Sequence, residues 1–100
     1  MSPTFEGTPR AWRDLRKLSA KDKQAFARAR ARFVEGLRVR PPSYDPALRV
    51  KRVRGSREVW ELTFAPDGRA TFRYGDEIVG EPHIVWLRVG DHSILDAPEG

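Results

Sequence analysis

One hundred residues with 39% apolar and 10% aromatic content supply one modest core, and so a single domain near the lower end of comfortable size. The absence of cysteine excludes disulfide staples and cysteine-ligated zinc, and no apolar run approaches the ~18 residues that cross a bilayer, so a soluble cytoplasmic protein without a membrane partner is expected. A formal charge of +5, its positive part concentrated in residues 10–57, favours an anionic partner such as nucleic acid or an acidic protein.

A short strand is expected near residues 3–6, where Pro3 suits a sheet edge. Thr8-Pro9 reads as a helix start, a capping hydroxyl followed by proline at the first helical position. Trp12, Leu15 and Leu18 recur at intervals of three and mark one face of that helix. Ser19 with Asp22 reads as a variant capping box opening a second helix. Within it AFARARARFV alternates like a strand, but alanine is the best helix former and a poor strand residue. Phe26, Ala29, Phe33 and Leu37 share one helical face, so the prediction is helix to about Gly36 and a helical hairpin. The connector RPPSYDP, with Pro41, Pro42 and Pro46, ends helical structure.

Beyond it the hydrophobic period becomes two. Trp60, Leu62 and Phe64 alternate with Val59, Glu61 and Thr63. APDG then reads as a hairpin turn with Gly68 free to adopt positive φ, and Ala70, Phe72 and Tyr74 form the inward set of the returning strand. The loop GDEIVGEP leads to a last strand, HIVWLRV. The predicted class is α+β: a short N-terminal strand, an α-helical hairpin, then an antiparallel β-meander. One domain covers residues 1–95, and 96–100 form a short flexible acidic tail.

Residues 49–57 hold five basic side chains and no acid. If Trp60, Leu62 and Phe64 pack on the helices, Glu61 and Thr63 project from the opposite face, as do Arg69, Thr71 and Arg73 across the hairpin. Packing Val85, Leu87 and Val89 inward turns Trp86 and Arg88 out to that same face; the opposite parity makes Trp86 core. The expected surface carries Glu61, Arg69, Arg73, Trp86 and Arg88, with Lys51, Arg52, Arg54 and Arg57 at its margin. His92 follows just past the last strand. Glu61 alternatively pairs with Arg69 or Arg73 across the hairpin, a contact of small energy. Neither histidine has neighbours at metal-ligand spacing, and no phosphate-loop, dinucleotide or nucleophile-elbow motif occurs, so neither metal nor cofactor is expected.

The order of elements, with VKRVRG before the first meander strand, VWELTFAPDGRATFRY across the hairpin and HIVWLRVGDHSIL at the end, resembles the RelE/ParE superfamily of bacterial toxins from toxin–antitoxin pairs. The resemblance covers nearly the whole chain. It implies a cognate antitoxin as partner, with operator DNA met only through that antitoxin. RelE-like and YoeB-like members cut messenger RNA on the ribosome, whereas ParE-like members share the fold, inhibit DNA gyrase and cleave nothing. By position, Arg69 matches the arginine that opens the second hairpin strand in YoeB-like members, and His92 lies near that group's terminal catalytic histidine. Glu61 is on a strand where RelE-like members often carry a lysine. The YoeB-like catalytic glutamate has no clear equivalent, Lys51 lying about there, and the terminal tyrosine is missing, with Ser93 after His92.

The implied activity is a metal-independent, ribosome-dependent mRNA endoribonuclease that inhibits translation. The alternative is a non-catalytic gyrase inhibitor or nucleic-acid-binding module of the same fold. On the first reading Arg69 and Arg73 hold the scissile phosphate, and His92 and Glu61 are the candidates for acid and base. Trp86 stacks on a splayed base, and Lys51, Arg52, Arg54, Arg57 and Arg88 contact the strand around it.

Overall fold

The computed structural model describes residues 2–99; Gly100, the last residue of the expected tail, lies outside them. In chain order the elements are β1 (Thr4–Gly7), α1 (Pro9–Lys17), α2 (Ala20–Leu37), β2 (Lys51–Arg52), β3 (Trp60–Thr63), β4 (Gly68–Tyr74) and β5 (His83–Asp91). Short 3-10 helices follow at Pro46–Leu48, before β2, and at His92–Asp96, after β5. The five strands form one sheet in the order β1-β5-β4-β3-β2. Strands β2 to β5 are the expected antiparallel meander. The edge strand β1 instead runs parallel to β5, with Thr4 opposite His83 and Gly7 opposite Trp86, so the sheet is mixed. A parallel pair needs a long crossover, and the helical hairpin is part of it.

Local chemistry sets the helix starts. Thr8 Oγ1 accepts the Ala11 N–H at 3.1 Å with Pro9 in the first turn, and Ser19 Oγ accepts the Asp22 N–H at 3.1 Å. Caps of this kind contribute about 1 kcal/mol each. One face of α2 buries Phe26, Ala29, Phe33 and Leu37 against Leu62, Ala70, Phe72, Ile84, Trp86 and Val89 of the sheet. The arginines of ARARAR stay on the exposed side.

The β3–β4 hairpin has the register its alternation demands, Trp60 opposite Phe72 and Leu62 opposite Ala70. Gly68 closes the turn for a different reason from the one expected. Its φ is not positive; a Cβ there would lie 2.5 Å from the Phe64 ring, so close approach is what requires glycine.

On β5 the expected parity fails in its first half. A β-bulge sets Phe72 opposite Trp86 but Thr71 opposite Arg88, leaving Leu87 as the extra residue. Ile84 and Trp86 therefore face the helices before the bulge and Val89 faces them after it, while Val85 and Leu87 point the other way. Trp86 is 5% exposed. Phe5, Phe26, Phe33 and Phe72 surround it at ring-centroid distances between 5.3 and 6.4 Å.

The second sheet face is also covered. Val53, Val59, Val85 and Leu87 form a smaller apolar patch beneath Leu95. Thr71 Oγ1 donates to the Pro98 carbonyl at 2.7 Å, and Arg88 Nη1 donates to the Ala97 carbonyl at 3.0 Å. The Ala97 and Pro98 carbonyls, in the segment expected as a flexible tail, thus accept hydrogen bonds from the sheet. Among the described residues no helix is long and apolar enough to cross a membrane.

Candidate nucleic-acid interface

The register fixes where the predicted site residues stand. Arg69 is opposite Thr63 on one side and Gly90 on the other, and Gly68 is opposite Asp91. His92, exposed at the start of the last 3-10 helix, therefore emerges at the same end of the sheet as Arg69. Glu61 lies one same-face position along, between Lys51 and Thr71. Arg73 stands four residues from Arg69 on one strand, about 13 Å away at the strand rise. It occupies the other end of the face, so the two arginines do not converge on one phosphate as expected.

Each side chain has its own environment. Arg69 is half-buried, and its Nη1 donates to the turn carbonyls of Ala65, Pro66 and Gly68 at 3.3, 3.4 and 3.0 Å. Glu61 is 6% exposed rather than projecting into solvent, and it makes no ion pair with Arg69 or Arg73. Beside His92, Asp91 accepts from the Ser93 hydroxyl and backbone N–H, which, with a smaller contribution from His92, holds its carboxyl below the ordinary range.

The remaining residues divide sharply. Lys51, Arg52, Arg54, Arg57 and Arg73 are exposed, and the Arg52 guanidinium lies over the Trp60 ring at 5.2 Å from its centroid. Trp86 is core and offers no stacking surface. Arg88 is corrected as well: its Nε donates to Asp14 of α1 at 2.6 Å, with both side chains 11% exposed. Asp14 also accepts the Val89 N–H at 3.2 Å, so Arg88 spends its charge joining α1 to β5.

Two groups escaped the sequence reading. The Tyr44 and Tyr74 hydroxyls bond each other at 2.6 Å, at the end of the sheet where Arg57, Trp60 and Arg73 line a cavity of about 410 Å³. Burial, then the Tyr74 hydrogen bond, raises the Tyr44 phenol; burial also raises Tyr74. Nothing short-range links residues thirty apart, one of them inside the proline-rich connector, so this pair left no local signal. The second group comprises Arg28, Arg32 and Arg49, which border a cavity together with Arg69. Their signal was present in ARARAR, where arginines four apart share a helical face.

No protein-family model and no curated protein matches the sequence. Solved structures do match in three dimensions. The chain is similar to one in the E. coli DinJ–YafQ toxin–antitoxin complex, with a TM-score of 0.70 at 12% identity over 95% of this chain and 98% of that one. It is similar to the free E. coli toxin RelE, in an arginine-to-alanine double mutant, with a TM-score of 0.64 at 15% identity over 99% and 95% of the two chains. A YoeB/ParE toxin from Agrobacterium tumefaciens gives 0.63 at 13% identity over 92% and 99%. The fold is that of RelE- and YoeB-type toxins. The expected class, α+β with an N-terminal strand, helical hairpin and meander, stands, with the parallel β1 edge added.

Proposed function

We propose that the chain is the toxin of a toxin–antitoxin pair and acts as a metal-independent, ribosome-dependent mRNA endoribonuclease that blocks translation. The observation that carries this reading is Arg69 and His92 emerging from neighbouring rungs at one end of a RelE-type sheet, with further arginines beside them. The chemistry asked of them is modest. The RNA 2′-oxygen attacks the adjacent phosphorus, its proton passing to a base, and the bond to the 5′-oxygen breaks as an acid protonates it. Arg69, already oriented by the turn carbonyls, stabilises the charge that builds on the phosphoryl oxygens. The His92 imidazole is the first candidate for either proton transfer, and Glu61 is the second. Lys51, Arg52, Arg54 and Arg57 hold the strand. The protein partner is a cognate antitoxin, and operator DNA is met only through it.

The cover of residues 96–99 and the burial of Glu61 favour a second reading, a non-catalytic gyrase inhibitor or binding module of the same fold. A ribosome-programmed cleavage assay on purified protein separates the two. Arg69→Ala is expected to lose on the order of 10²- to 10³-fold in cleavage rate, and His92→Ala less where another group carries the proton. A folded Arg69→Ala protein cleaving at the parent rate removes the site as assigned.

A further inference from the structure

Arg28 and Arg32 of α2, Arg49 after the Pro46–Leu48 turn, and Arg69 of β4 border one cavity of about 320 Å³. Its other walls are mainly Ala25, Ala29, Leu48 and Phe64, and no aspartate or glutamate lines it. Strand β2 reaches only as far as Glu61 on β3, so the β3 edge beside this cavity is not covered by a strand. Among the described residues Arg28, Arg32 and Arg49 have neither an ion pair nor a hydrogen-bonded side-chain partner, and Arg69 bonds only turn carbonyls. Arg49 also holds left-handed backbone, φ 49°, which disfavours any residue with a Cβ.

We propose that this cavity is a docking site for the phosphodiester backbone of a single-stranded polynucleotide, separate from the reacting phosphate. Four like charges around one space repel each other until an anion enters, and guanidinium forks match phosphate oxygens. Arg28 and Arg32 are one helical turn apart, about 6 Å along the axis. That spacing is of the order of successive phosphates in an extended strand. A lone carboxylate would neutralise one of the four cations; consecutive phosphates neutralise several. The shared Arg69 places this anchor next to the proposed reaction site, so the strand enters over the uncovered β3 edge. The inference rests on the proposed function only for the identity of the strand, since a protein that binds here and cleaves nothing keeps the anchor and loses only the ribonuclease.

The test is fluorescence anisotropy of the full chain with a short single strand carrying 2′-O-methyl at every sugar, which removes the nucleophile. Arg28→Gln/Arg32→Gln is expected to weaken binding on the order of 10- to 100-fold and to reduce the log–log salt slope by about 1.4, two single-strand contacts. Lys21→Gln/Lys23→Gln, the same charge change on the same helix outside the cavity, is expected to weaken it by less than about threefold. Arg49→Gly relieves the left-handed backbone and so keeps the fold while losing affinity, which controls for a structural effect. Equal losses in the two double variants overturn the proposal. So does a polyglutamate peptide that binds tighter than the strand and depends on the same arginines, and so does pyrophosphate binding as tightly as the strand.

Discussion

At the residue scale, some of the side chains that look free in the sequence are engaged. Arg69 was an exposed cation by alternation, yet it also braces its own hairpin turn through three carbonyls. Arg69→Ala should therefore lower stability by about 1 kcal/mol, more than a surface change away from such contacts. Urea denaturation of both proteins measures this. The Tyr44–Tyr74 pair predicts a pH effect. Both phenols are raised above the ordinary value of 10.0, so the folded chain keeps those protons longer than the unfolded one. Their contribution is complete below pH 10 and is lost as pH rises through the raised values. The melting temperature of the parent should fall more steeply above pH 10 than that of Tyr44→Phe/Tyr74→Phe; parallel curves would show that the pair contributes nothing.

At the element scale, β5 is where the protein is held together and where the sequence misled. It pairs with β1 and β4, carries Trp86 into the main core, and meets α1 through Arg88 and Asp14. Removing one partner of so enclosed an ion pair leaves the other charge stranded, which costs about 3 kcal/mol or more. Arg88→Ala should accordingly melt more than about 10 °C below the parent by circular dichroism, with Asp14→Asn close behind. The helix caps, the α2 face and the hairpin alternation were legible because each element is solvated on one side, and the pattern records which. HIVWLRV is apolar on both parities, since Leu95 covers the face that Trp86 does not use. A strand buried on both sides carries no alternation, and the bulge at Leu87 reverses parity without a glycine to announce it. The outward tryptophan was lost for that reason; Arg88 keeps its expected parity beside Val89 and is engaged instead by Asp14 of α1. Of the proposed reaction site, Arg69 and His92 were proposed from motif order; the separation of Arg73 and the burial of Glu61 emerge only in the folded sheet.

At the scale of the whole molecule, the surplus of +5 resides on exposed arginines and lysines of α1, α2 and the segment before β3. Five or six single-strand phosphate contacts would give a slope of log affinity against log salt of roughly −3.5 to −4. An affinity for RNA or ribosomes that barely changes between low and moderate salt would take the basic surface out of the function. In bacteria producing the chain alone, pulse labelling should show protein synthesis falling before DNA synthesis. Replication stalling first would favour the gyrase-directed reading over the ribonuclease.

The placement of β5 between β1 and β4 has a consequence in time. A ribosome delivers β1 first, but its partner emerges 79 residues later. Until then β1 has no ladder, α1 has neither Asp14's partner nor Trp86 to rest on, and the site end of the sheet lacks its closing strand. Such long-range pairing is intrinsically slow and cannot be rehearsed on a partial chain. The molecule is therefore assembled only when synthesis is nearly over, and a prematurely terminated copy ending before His83 is expected to be inert as well as unfolded.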